Sequence, residues 1–225
     1  MREKWRRLVV EGPRFDRTVV PIYESSSPRG PIPLLKVLMT DRCTMNCLYC
    51  PIGWSRGCQA WDPRELASVA LKLYRRGEIS GVFLSSGIPG DPDKAMELIL
   101  ETAWEIRRMG FRGFLHIRVM PGSSKWVVEE AARLADRVGA NFETPREFFE
   151  ELCPNKEWSS IENCFRWLLE AGARDLDTQL VVGASNERDL DLLRLTERLL
   201  SEFRLSRVYY SPFTPVRGTP LEGRR

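Results

Sequence analysis

From residue 34 onward, short apolar runs alternate with longer stretches whose apolar positions recur every three or four residues. The runs cover residues 34–40, 81–85, 113–119, 140–143, 178–183 and 207–211, each the length of a buried strand. Between the first two, Asp62-Pro63-Arg64-Glu65 supplies an N-cap, a proline at the first helical position and a capping-box acid. Leu66, Val69, Ala70 and Leu73 then fall on one helical face. Asp91-Pro92 opens a second helix in the same way, with Met96, Ile99, Leu100 and Ala103 as its apolar stripe. Further helical patterns cover residues 124–137, 159–171 and 186–203. Strands alternating with helices predict an α/β fold, a partial (β/α)6 TIM-like barrel of parallel strands with the helices outside. Eight units would close a full barrel, and six leave it open; ligands of such folds bind at the carboxyl ends of the strands.

Residues 1–33 read as a polar, proline-containing N-terminal extension in which only Leu8-Val9-Val10 and Thr18-Val19-Val20 look able to pair. Residues 34–220 form the core domain, and 221–225 a short tail. A chain of 225 residues is most simply one domain. No apolar run approaches the length of a membrane helix, and the apolar stretch near the start is too short for a signal peptide. Six cysteines with no framework spacing imply a reducing, cytoplasmic setting. A net charge of +3 is too mild to imply nucleic acid.

The most informative stretch follows the first strand: Asp41-Arg42-Cys43-Thr44-Met45-Asn46-Cys47-Leu48-Tyr49-Cys50-Pro51-Ile52-Gly53-Trp54. Cys43, Cys47 and Cys50 stand at i, i+4 and i+7, and Pro51 and Gly53 argue against a long helix after them. A loop at a strand tip can curl three thiolates around an iron–sulfur cluster and leave one iron for a ligand that is not protein. Other readings stay open at this point. On a helix the three would share a face as small core hydrophobes. A zinc site could recruit Cys58 or His116 as a fourth ligand, giving a zinc-stabilised, non-catalytic binding module. A disulfide framework suits shorter secreted chains.

The other strand ends carry polar candidates. Ser85-Ser86-Gly87 closes the second strand, offering amides and hydroxyls where glycine lets a ligand approach. His116 and Arg118 alternate on the third, so both face one side. Asn141 and Glu143 do the same on the fourth, and Gln179, Val181 and Gly183 on the fifth. Such groups are costly to bury unless they bind something or satisfy one another as an ion-pair network. Cys58, Cys153 and Cys164 are left over, as buried or idle thiols or ligands of a second cluster, with Cys58 close enough to the loop to donate hydrogen to a substrate radical.

The C-x-x-x-C-x-Φ-C arrangement, with Tyr49 before the last cysteine, resembles the signature of radical S-adenosylmethionine (SAM) enzymes. Further segments narrow the likeness: Phe83-Leu84-Ser85-Ser86-Gly87, His116-Ile117-Arg118-Val119-Met120-Pro121-Gly122, Asn141-Phe142-Glu143-Thr144-Pro145, Thr178-Gln179-Leu180-Val181-Val182-Gly183-Ala184 and Val208-Tyr209-Tyr210-Ser211. Together they resemble a radical SAM family described as DNA modification or repair proteins and linked to uracil-DNA glycosylase. The resemblance implies a [4Fe–4S] cluster on Cys43, Cys47 and Cys50, with SAM on the open iron and cleaved to a 5′-deoxyadenosyl radical. It implies Tyr49 near the adenine and Ser85-Ser86-Gly87 where many members contact the SAM amino group, although the acidic residue usual in that segment is absent. Arg118, Asn141 and Glu143 would hold the carboxylate and ribose, and Val181–Gly183 would pack the adenine. An electron donor such as a ferredoxin or flavodoxin is implied as partner. Members of the family carry a helix-hairpin-helix region after the barrel; the sequence given ends just past the sixth strand, which weighs against nucleic-acid contact.

Overall fold

The computed structural model describes residues 22–25, 30–55 and 59–224. Its strands are β1 (Ile22–Ser25), β2 (Ile32–Leu38), β3 (Gly81–Ser85), β4 (Phe114–Arg118), β5 (Arg137–Gly139), β6 (Leu176–Val182) and β7 (Arg207–Pro212). They form one sheet in strict chain order. Strands β2 to β7 are all parallel, and β1 pairs antiparallel with β2. Sequential parallel order is the winding of a barrel, and β1 and β7 do not pair, so the barrel is open on one side. The helices between are α1 (Pro63–Arg75), α2 (Pro92–Arg108), α3 (Lys125–Leu134), α4 (Arg146–Leu152), α5 (Trp158–Glu170) and α6 (Asp189–Phe203). The partial (β/α)6 barrel is therefore present, with one antiparallel strand added at its edge.

Local chemistry accounts for the helix starts. The Asp62 carboxylate accepts the Glu65 N–H and the Asp91 carboxylate the Asp93 N–H, both at 2.9 Å, with proline following each cap. The outer face of the sheet carries Leu35, Val37, Val82, Leu84, Leu115 and Ile117, all fully buried beneath the helices. Each such side chain contributes about 1.5–3 kcal/mol. The alternate positions, Lys36, Phe83 and His116, are paired across β2, β3 and β4 and face the lumen.

Three elements differ from the sequence expectation. Strand β1 lies inside the predicted extension, while the two pairing segments expected there, 8–10 and 18–20, lie outside the described residues. The short helix α4 carries no strong apolar stripe and was not expected. The fourth strand was placed at 140–143 but occupies Arg137–Gly139, and the helix expected to reach residue 137 ends at Leu134. Strand β5 has only three residues and begins with an arginine, so its apolar signal is weak. Residues 140–143 cannot continue it, because Glu143 adopts φ +64°, a left-handed conformation incompatible with a strand. The segment instead returns through a single bridge from Glu143 to Leu180.

Gly139 marks the tightest seam of the sheet. A Cβ there would lie 1.8 Å from the Asp177 carbonyl oxygen and 2.5 Å from its Oδ1. Gly139→Ala is therefore expected to wedge β5 from β6 and cost about 3 kcal/mol, seen as a fall of roughly 6–12 °C in Tm. A thermal melt within 2 °C of the parent, taken as roughly the effect of under 1 kcal/mol, would contradict this packing.

Candidate functional site

The cysteine loop leaves the carboxyl end of β2 and is tied down by backbone contacts. Thr44 N–H donates to the Ile88 carbonyl at 2.8 Å, and Leu48 N–H to Leu152 at 2.9 Å. The Trp54 indole N–H reaches the Cys47 carbonyl at 2.9 Å, closing the loop on itself. Asn46 is left-handed at φ +49°, and Pro51–Gly53 makes a single 3-10 turn. No helix forms over the three cysteines, which removes the reading of them as one face of a helix. Cys43, Cys47 and Cys50 instead line one cavity of about 180 Å³.

Seven of the other expected residues share that cavity: Tyr49, Ser85, Ser86, Gly87, Arg118, Asn141 and Glu143. Gly87 lets the second strand end meet the loop, for a Cβ there would lie 2.3 Å from the Arg42 carbonyl oxygen. Asn141 and Glu143 reach the cavity from beyond β5 because Phe142 between them is fully buried, stacked on Phe165 at 5.3 Å. Two side-chain acceptors facing the cavity, Asn141 Oδ1 and Glu143 Oε2, are buried without a hydrogen-bond partner. Unsatisfied buried acceptors are costly, so they mark a place for a donor-bearing ligand.

Two residues beside the cysteines were not singled out as site residues. Lys156 lines the cavity and pairs with Glu143 Oε1 at 2.9 Å. It comes from the α4–α5 connection, where no sequence pattern distinguishes it. Cys153, one of the leftover thiols, is fully buried and hydrogen-bonds to Cys47. That bond, with help from the Lys156 ammonium, brings Cys47 down to about 7 against the opposing effect of burial. Burial, then the nearby Cys47, pushes Cys50 up to about 12. Burial opposes the charge on Lys156, but Cys47 and Glu143 override it and hold the ammonium firmly protonated. A fixed cation beside the thiols favours the thiolate form that metals require. Cys164 is buried in the core, and Cys58 lies outside the described residues.

The donor set suits a cluster better than a single ion. Zinc needs its donors converging at about 2.3 Å from one point. Among the described residues no three His, Cys, Asp or Glu side chains are grouped as donors to one metal ion. Of the two expected fourth zinc ligands, His116 lines a different cavity and Cys58 lies outside the described residues. A cluster distributes its thiolates over separate irons, so three cysteines around a cavity meet its requirement.

His116 and Gln179 line a second cavity, of about 230 Å³, which Arg118 also borders. Here the ion-pair network anticipated for the lumen is present, but its acid is Asp177. This carboxylate has no solvent exposure and receives His116 Nε2 at 3.1 Å and Arg118 Nη1 at 2.9 Å. Burial alone would raise it; Arg118 and then His116 hold it well below the usual carboxylate range. Burial likewise keeps the His116 imidazole below its ordinary value, with Asp177 opposing. Val181 and Gly183 line neither cavity: Val181 N–H donates to the Glu143 carbonyl and Gly183 N–H to the Glu187 carboxylate.

The family model described as the radical SAM superfamily matches residues 37–199. The chain belongs to the radical SAM superfamily of enzymes. No curated protein sequence matches it. Solved structures of similar fold include methylornithine synthase, 19% identical with a TM-score of 0.66, covering 85% of this chain and 56% of that one. SuiB of Streptococcus suis bound to S-adenosylmethionine is 12% identical, with a TM-score of 0.62 over 82% of this chain and 39% of that one. Coproporphyrinogen III oxidase of Escherichia coli, a radical SAM enzyme, is 14% identical, with a TM-score of 0.53 over 81% and 44%. This radical SAM chain thus spans about half the length, or less, of the structures it resembles, and at these identities the likeness concerns the fold. No described helix is long and apolar enough to cross a membrane.

The Asp177 network of this radical SAM barrel has a measurable signature. Asp177→Asn leaves the Arg118 guanidinium buried without its counter-ion and is expected to cost about 3–5 kcal/mol at neutral pH. The depressed Asp177 carboxyl stabilises the fold at neutral pH, and that contribution is lost as pH falls through its lowered value. The depressed His116 adds a loss that begins as pH drops below its ordinary 6.5, because the unfolded chain protonates first. Denaturant melts from pH 7.5 to 2 should therefore show stability declining on acidification, and the part of the decline below about pH 4 should be shallower in Asp177→Asn. Equal slopes below about pH 4 would remove Asp177 from the network.

Proposed function

We propose that the chain is a radical SAM enzyme holding a [4Fe–4S] cluster on Cys43, Cys47 and Cys50, with SAM beside it. The observation that carries this reading is the single cavity shared by the three cysteines and the two orphaned buried acceptors. When bound, the cluster supplies the electron that cleaves the SAM sulfonium reductively and starts radical chemistry on a substrate. The chain's own residues bind and orient. Asn141 and Glu143 accept from the amino and hydroxyl groups of SAM, Ser85-Ser86-Gly87 presents backbone and hydroxyl groups to its amino-acid end, and Tyr49 walls one side. Arg118 offers a fixed positive charge to the carboxylate. Lys156 keeps the thiolate side of the cavity electrostatically favourable.

Reduction by a ferredoxin- or flavodoxin-type donor in a reducing, cytoplasmic setting suits this chemistry. Modification or repair of nucleic acid is supported by the likeness of the strand-end segments alone. The zinc-stabilised binding module is the competing reading, and metal content separates the two.

Anaerobic reconstitution with iron and sulfide is expected to load ~4 iron and ~4 sulfide per chain. The dithionite-reduced protein should give an EPR signal that changes when SAM is added. Alanine at Cys43, Cys47 or Cys50 should abolish loading, whereas Asn141→Ala should keep the cluster and weaken the response to SAM by about tenfold. Zinc at one per chain with no reduced-cluster signal would overturn the proposal in favour of the binding module.

A further inference from the structure

The connection between α4 and α5 is a fixed turn laid along the cysteine loop. Its two ends are joined by Phe149 of α4 against Trp158 of α5, edge to face at 5.3 Å. Between them, Cys153 N–H donates to the Phe149 carbonyl at 2.8 Å, and Lys156 N–H to the Cys153 carbonyl at 3.0 Å. The Asn155 side-chain amide donates to the Thr44 carbonyl at 3.0 Å, and the Leu152 carbonyl receives the Leu48 N–H. These two contacts bracket Cys47 in the chain. Cys153 and Lys156 are the side chains that the turn delivers to it.

Cys47 differs from the other two loop cysteines in its burial. It is 4% exposed, whereas Cys43 and Cys50 are only partly buried. A sulfur shielded from water takes its hydrogen bonds from the protein. Cys47 has two such donors, the thiol of fully buried Cys153 and the Lys156 ammonium. A thiol without solvent exposure stays neutral, which makes Cys153 the donor of the pair. Cys153 lines no part of the cavity, so it reaches Cys47 from behind the wall and is not itself a fourth ligand. Lys156 does line it, with its charge anchored on Glu143 Oε1 at 2.9 Å. When an iron–sulfur cluster takes up an electron, its thiolates share the added charge. Donors and cations aimed at those sulfurs stabilise the reduced form and raise the reduction potential.

We propose that Cys153 and Lys156 are positioning residues that act through the Cys47 sulfur, one as an S–H donor and the other as a fixed cation, and together raise the reduction potential of the cluster. This rests on the proposed function, because it needs a cluster on Cys43, Cys47 and Cys50.

Redox titration of the anaerobically reconstituted full chain, followed by EPR of the reduced cluster, tests it. Iron and sulfide are counted first in each variant. Cys153→Ala should load as the parent does, yet the ratio of reduced to oxidised cluster at a fixed potential should fall about tenfold, a shift of ~59 mV for a one-electron couple. Cys153→Ser keeps a donor and should restore most of that loss. Lys156→Met should lower the potential in the same direction, and Lys156→Arg, which keeps the charge, should restore it. Cys153→Val fills the space of the thiol without donating, and takes the place of alanine where that variant fails to load. A purely structural role would change loading or melting, but would not make the potential follow the donor and the charge. Equal potentials in the parent, Cys153→Ala or Cys153→Val, and Lys156→Met would overturn the proposal, as would losses that serine and arginine fail to restore. A SAM-responsive cluster whose potential ignores both residues would leave the proposed function standing. A parent chain that loads no cluster would overturn both.

Discussion

A carboxylate without access to solvent sets the terms for the interior of this barrel. Asp177 sits on β6, against β5 at Gly139, and takes both His116 and Arg118 of β4. Removing water from three ionisable groups is expensive, and the arrangement is tolerable only because each has its partner within hydrogen-bond distance. That requirement propagates outward. Position 139 has no room for a side chain, since Asp177 occupies the space. Strand β5 is short, since the chain must leave the ladder immediately afterwards to carry Asn141 and Glu143 around the strand end.

The same network divides the lumen. On the side of the strand tips, the cysteine loop, the Ser85-Ser86-Gly87 turn and the 141–143 segment converge on one cavity; on the other, aromatic and cationic side chains line a second. Arg118 belongs to both, and its compensation by Asp177 makes it a fixed wall. The polar groups left unsatisfied are concentrated on the cysteine side, where Asn141 Oδ1 and Glu143 Oε2 have no donor. A protein that satisfies its deepest charges so fully and yet leaves these two acceptors bare has arranged them for something other than stability.

How much of this the sequence disclosed depended on whether the signal was local. The cysteine loop was legible because its three cysteines lie within eight residues and its turn chemistry, Pro51 and Gly53, adjoins them. The face of Arg118 was legible because alternation along its strand assigns a face to each residue. Strand β5 was not, because a three-residue strand opened by arginine has no apolar period to detect. Asp177, Lys156 and Cys153 went unrecognised for a different reason: an acid, a lysine or a thiol gains its role here from a partner distant in the chain, 61 residues away in the case of Asp177 and His116. The face of Asn141 and Glu143 was anticipated correctly but from the wrong cause, since the burial of Phe142 and not membership of a strand turns them inward.

Lys36 and Lys156 show how position alone gives the same side chain opposite character. Lys156 lies beside Glu143 and the Cys47 thiol, and these hold its charge in place despite burial. Lys36 lies among aromatic rings, and the same burial, with Arg118 nearby, weakens its hold on the proton. The first belongs to a site whose negative groups are the protein's own thiols, so its positive charge is matched before any ligand arrives. The second belongs to a cavity in which the described residues nearest its ammonium are aromatic rings. An asymmetry of this kind separates the two cavities: thiols and bare acceptors lie on one side of Arg118, and a cation among aromatic rings on the other.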